Sequence, residues 1–126
     1  FSSGFTNDID IIIPVPLHPR KERVRGFNQS ALIAQGISEA SGIPVDMVSL
    51  QRVASSSTQT RKSRYERWKN VEGTFHVTDP ASVREKHILL VDDVITTGST
   101  MESCVTELLK QEGVRVSAVA LAVSVL

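Results

Sequence analysis

Apolar residues fall in short runs separated by polar, Gly- and Pro-bearing stretches, and the runs follow two different periods. Ile88–Val91 is continuous and rich in strand formers, the pattern of a strand buried on both faces. Ile9–Val15 is nearly so, and Pro14 and Pro16 limit it near its end. Leu32, Ile33, Ile37 and Ala40 recur at helical spacing, with Asn28 or Ser30 suited to cap the helix and Gly42 with Pro44 to stop it. Met101, Val105, Leu108 and Leu109 predict a second helix over about Ser99 to Glu112, ended at Gly113. Val48–Val53 and Gly73–Val77 are short strand candidates, Asp79-Pro80 begins a turn, and Val114–Leu126 is strand-rich, with Val116–Ala122 its sheet-forming part. Strands alternating with helices predict an α/β fold, a mainly parallel sheet flanked by helices on both faces.

A length of 126 residues suits a single domain over 1–126. The start at Phe1, without Met, and the strand-like finish carry the expectation of a piece of a longer protein. Formal net charge is zero, so any contact with nucleic acid must come from local patches. Lone Cys104 builds neither a disulfide nor a zinc site, and its helix position is core-facing, so it is expected to be an inert buried thiol. No apolar run approaches the ~18 residues of a membrane span and no signal peptide is evident, so a reducing cytoplasm without membrane insertion is the expectation.

Chemistry enters where the strand at Ile88–Val91 ends. Asp92 and Asp93 stand where open parallel sheets place their ligands. After Val94-Ile95 come Thr96, Thr97, Gly98, Ser99 and Thr100, a hydroxyl-rich turn at a helix N-terminus, which offers N–H groups and a positive dipole end to an anion. Carboxylates repel phosphate, so the acid pair needs a different task, and sugar hydroxyls beside a bound phosphate supply one. A Walker B strand or a phospho-acceptor receiver would also end in Asp-Asp. No G-x-x-x-x-G-K-[ST] occurs, however, and a receiver carries its acid pair near its start.

All thirteen positions of Ile88–Thr100 resemble the phosphoribosyl-pyrophosphate (PRPP) signature of the type I phosphoribosyltransferases. The resemblance implies that Asp92 and Asp93 hold the ribose 2′- and 3′-hydroxyls. It also implies that Thr96, Thr97, Gly98, Ser99 and Thr100 hold the 5′-phosphate. Pro14-Val15-Pro16-Leu17-His18-Pro19, followed by Arg25-Gly26-Phe27-Asn28-Gln29, is similar to the competence protein F (ComF) group within that family. That group's later Arg-x-x-Asn-x-x-Gly-x-Phe is present as Arg67, Asn70, Gly73 and Phe75. Members often carry an N-terminal Cys-rich zinc segment, which these 126 residues do not include.

Ten of the fourteen basic residues lie in Arg20–Arg25 and Arg52–Lys69. The resemblance assigns Arg20, Lys21, Arg23 and Arg25 to the pyrophosphate-side loop. It places Arg61, Lys62, Arg64 and Arg67 on an arm beside a loop that closes over pyrophosphate, and closure excludes water from a cationic sugar centre. Ala54–Thr60, polar and without an apolar anchor beyond Ala54, has the composition of that mobile loop. Basic residues interleaved with Tyr65 and Trp68 equally suit single-stranded DNA, gripped through phosphates and stacked bases.

Among the histidines, His18 lies in the basic connection, whereas His76 and His87 sit by strands and are expected to be structural. No His/Asp/Glu/Cys spacing resembles a tight metal site, so no dedicated metal ligands are assigned and Mg²⁺ is expected to arrive with the ligand's phosphates. The function expected is displacement of pyrophosphate from PRPP by an acceptor, with no catalytic residue assigned. The alternative is a non-catalytic ComF-type module binding single-stranded DNA or partner proteins, and a homodimer is compatible with either. Thr96 stands where purine-salvage members carry an acid. Thr is a poor general base, so the acceptor is not expected to be a hypoxanthine- or guanine-type purine.

Overall fold

The computed structural model describes residues 8–17, 28–52, 75–95 and 98–123. Along them run β1 (Ile11–Pro14), α1 (Gln29–Ser41), β2 (Leu50–Arg52), β3 (Phe75–Val77), α2 (Pro80–Val83), β4 (His87–Ile95), α3 (Ser99–Leu109) and β5 (Arg115–Val123). Strands β1, β4 and β5 form one parallel sheet with β4 in the middle, and β2 pairs antiparallel with β3. Val45 adds a parallel bridge to Ile12 on the far side of β1.

The continuous apolar runs are explained by burial on both sheet faces. Ile11, Ile13, Val15, Ile88 and Leu90 face one core with Leu50, Phe75, Val77, Cys104 and Leu108. Ile12, Leu89 and Val91 alternate with them and meet Ala34, Ile33 and Ile37 of α1 on the other face. Two cores, one per face, place α1 and α3 on opposite sides of the sheet. This is the helix-flanked parallel sheet expected from the sequence.

Helix α1 is cut where the sequence marks it, but the apolar stripes of α1 and α3 need correction. Asn28 caps α1, its Oδ1 accepting from Ser30 N at 2.9 Å and Ala31 N at 3.3 Å. Gly42, at φ +81°, closes it in the left-handed conformation that a side chain resists. The buried line on α1 is Ser30 and Ala34 flanked by Ile33 and Ile37, whereas Leu32 is 60% exposed and Ala40 also faces solvent. At about 100° per residue, Leu32 lies too far round from Ala34 and Ile37 to share their face. In α3 the core side is Met101, Cys104, Val105 and Leu108, and Leu109 is 52% exposed. That helix ends at Leu109, three residues before the expected Glu112, and Gly113 at φ +70° turns the chain into β5.

His87 is structural, as expected. It starts β4, with Nδ1 3.2 Å from the Asp8 carboxylate and Nε2 2.7 Å from Ser117 Oγ, fastening the N-terminal edge of the sheet. His76, by contrast, is exposed on β3. Ala54–Thr60, Tyr65, Trp68 and His18 lie outside the described residues.

Candidate ribose-phosphate site

The site forms because β4 outruns its neighbour. The last paired residue of β1 is Pro14, opposite Val91, and Val15 N still donates to Val91 O at 2.8 Å. Asp92 and Asp93 follow directly, at the C-terminal edge, with β5 continuing alongside. The Asn28 side chain donates from Nδ2 to Val15 O at 3.3 Å, tying the start of α1 to the end of β1. Beyond β4, Gly98 takes φ +83° and caps α3, and its carbonyl accepts from Glu102 N at 2.9 Å. A glycine is needed there for its backbone alone, since an added Cβ would meet no atom within 4 Å.

These ends enclose one open cavity of about 140 Å³, an order of magnitude above the roughly 10–15 Å³ that a single water needs. Asp92, Asp93, Gly98 and Thr100 line it together with Ser30 and Arg52. The structure therefore joins the acid pair to the Gly98 turn, as the sequence led one to expect. Ser99 heads α3 but does not line the cavity. Thr96, Thr97, Arg20, Lys21, Arg23, Arg25, Arg61, Lys62, Arg64 and Arg67 lie outside the described residues.

The two carboxylates are half committed to the protein. Asp92 Oδ1 accepts from Asp93 N at 2.9 Å and from Ser30 Oγ at 3.3 Å. Asp93 Oδ1 accepts from Val94 N at 2.8 Å. Oδ1 of each acid is thus anchored by a backbone N–H, and the two carboxyl groups lie close enough to act on one another. Two adjacent carboxylates suit a vicinal diol, one hydroxyl for each. Asp92 is only 8% exposed. Burial first, and then the neighbouring Asp93 carboxyl, push its proton affinity above the ordinary carboxylate range, against the lowering effect of the Asp93 N–H and the Ser30 hydroxyl.

Two contributors escaped the sequence reading of the site. Arg52 was visible only as part of a basic cluster, yet it lines the cavity from β2, with its guanidinium 5.1 Å from the Phe75 ring centroid. That stacking holds a cation on the side of the cavity formed by the hairpin. Ser30 looked like a capping candidate, and its hydroxyl is instead spent on Asp92. Cys104 is fully buried beneath the site, its thiol pushed up to about 12 by burial and then by Asp92, so it is inert as a nucleophile. The described residues hold no cluster of three or more His, Cys, Asp or Glu able to bind a metal ion, and none of their helices is long and apolar enough to cross a membrane.

Residues 26–125 match the family model of the phosphoribosyl transferase domain. The chain belongs to the phosphoribosyltransferase family. Its relatives include the DNA utilization protein YhgH of Salmonella typhi, 38% identical over 104 residues, which are 82% of this chain and 44% of that protein. Competence protein F of Haemophilus influenzae is 37% identical over 108 residues, 83% of this chain and 46% of the relative. The chain thus spans less than half the length of the curated relatives it matches. Among solved structures, glutamine PRPP amidotransferase from B. subtilis, complexed with ADP and GMP, superposes with a TM-score of 0.61 at 26% identity. The match covers 89% of this chain and 22% of that one. The fold is that of the type I phosphoribosyltransferases, and the likeness to competence protein F stands on the sequence match.

Proposed function

We propose that this phosphoribosyltransferase domain binds PRPP and displaces its pyrophosphate with an acceptor nucleophile. The observation that carries the reading is the Asp92–Asp93 pair, each acid anchored through Oδ1 by a backbone N–H and both lining the same cavity as the Gly98 turn. The two carboxylates take the ribose 2′- and 3′-hydroxyls. The Gly98 turn and the N-terminus of α3, with the Thr100 hydroxyl beside the cavity and with Thr96 and Thr97, take the 5′-phosphate. Arg52, with the basic residues of Arg20–Arg25 and Arg61–Arg67, takes the departing pyrophosphate.

Bond breaking at C1 precedes full bond making, so positive charge develops on the ribose while the pyrophosphate gathers negative charge. The protein's part is to fix the sugar and to hold preorganised charge around both. Mg²⁺ arriving with the ligand's phosphates would neutralise charge on the leaving group. Pyrophosphate release from PRPP and Mg²⁺, measured across a panel of acceptor bases, tests the reading. Acceptor-dependent release supports a transferase, and binding without release under any acceptor leaves a PRPP-binding module.

A second reading is favoured by the names of the relatives, which refer to DNA utilization and competence. In it the same domain serves DNA handling by binding single strands through the Arg61–Lys69 arm, with Tyr65 and Trp68 stacking on bases. Retardation of a labelled oligonucleotide, and quenching of Trp68 fluorescence on adding it, distinguish this use from the first.

A further inference from the structure

Ser30 is the only α1 side chain with a hydrogen bond to the acid pair among the described residues, and it is 4% exposed. It reaches Asp92 across 62 residues of sequence, from the helix that Asn28 ties to β1. Its hydroxyl and the Asp93 N–H converge on the same oxygen, Oδ1, so the carboxylate of Asp92, which lines the cavity, is held at that oxygen from two elements. Among the described residues Ser30 supplies the one hydrogen bond to it from outside β4. We propose that Ser30 is a positioning residue for the ribose, orienting Asp92 so that its carboxylate meets a sugar hydroxyl, and that α1 is thereby coupled to ligand binding.

This inference rests on the PRPP reading above. Ser30 is not itself a catalytic residue, since it acts through Asp92. Among the described residues the charged and titratable groups around Asp92 are Asp93 on its own strand, Arg52 from β2 and Cys104 from α3, and α1 contributes the Ser30 hydroxyl. Donation from Ser30 favours the ionised carboxylate, so removing it makes Asp92 easier to protonate.

The test is PRPP affinity with Mg²⁺ by calorimetry between pH 5 and 8 for the wild type, Ser30→Ala and Ser30→Thr. The alanine variant should bind roughly three- to tenfold more weakly at neutral pH, the range for the loss of one ordinary hydrogen bond that acts on the ligand only through Asp92. Its loss of affinity on acidification should also begin at a higher pH than in the wild type. The threonine variant, which keeps the hydroxyl, should restore both. The ligand's own titration is common to all three proteins and cancels in the comparison. A purely structural role would lower thermal stability without moving the acid limb. Ser30→Ala with wild-type affinity and an unmoved acid limb, beside a wild type that binds, overturns the inference alone. A wild type that fails to bind PRPP overturns the ribose reading and this inference together.

Discussion

Asp92 sets function against stability at a single residue. Its proton affinity is raised above the ordinary value near 3.8, so the native state holds that proton more tightly than the unfolded chain does. The stability this gives is full below the ordinary value and is lost as pH rises through the raised one, so ionised Asp92 is a net cost at neutral pH. Asp92→Asn keeps an oxygen for Asp93 N and Ser30 Oγ while removing the buried charge. Its melting temperature at pH 7 should equal or exceed the wild type's, while PRPP affinity falls by about 1.5–3 kcal/mol for the lost charged acceptor. Asp46 behaves oppositely. Burial works to raise it, but donation from Ser49 Oγ, Ser49 N and Val48 N outweighs burial and holds it below the ordinary range. The stability it gives is present above the ordinary value and lost as pH falls through the lowered one. Asp46→Ala should therefore destabilise the protein by about 1–2 kcal/mol at pH 7 and much less in strong acid, as urea titrations at the two pH values will show.

At the scale of elements, the ends carry the candidate site and the runs between them carry the stability. Leu108 is wholly buried between α3 and the sheet, and Leu108→Ala should cost about 2–5 kcal/mol, measured by denaturant unfolding. Gly98→Ala meets no steric obstacle but must hold φ +83°, a conformation costing a non-glycine residue about 1–2 kcal/mol. Because that strain sits at the cap of α3, it should also weaken binding of the PRPP 5′-phosphate. The sequence reveals these elements to different degrees. Strands β1 and β4 were legible because burial on both faces writes a continuous apolar run, and α1 because Asn28 and Gly42 mark its ends chemically. The buried side of α1 was not legible, because Ser30 and Ala34 are small or polar and Leu32 outweighs them in any count of hydrophobicity. Ser30 could be assigned to Asp92 only once the fold had brought α1 over the end of β4.

For the molecule as a whole, zero net charge hides a division of labour: ten of its fourteen basic residues lie in two stretches on either side of α1. If the Arg61–Lys69 arm grips single-stranded DNA, log affinity should fall with log salt by about 0.7 for each phosphate contacted. A salt-independent affinity, or no retardation of an oligonucleotide, would count against that use. The acid pair and its turn were readable as a local motif because thirteen consecutive residues hold them. The contribution of Arg52 was not, because it depends on the β2–β3 hairpin folding beside the cavity and stacking its guanidinium on Phe75. The central claim, that Asp92 and Asp93 hold the ribose of PRPP, is tested most directly by calorimetry of PRPP and Mg²⁺ binding to the wild type and the Asp92→Asn, Asp93→Asn double variant. The wild type should bind, and the double variant, folded by circular dichroism, should bind at least about tenfold more weakly, the least expected for a lost hydrogen bond to a charged group. A folded double variant with undiminished affinity would contradict the account.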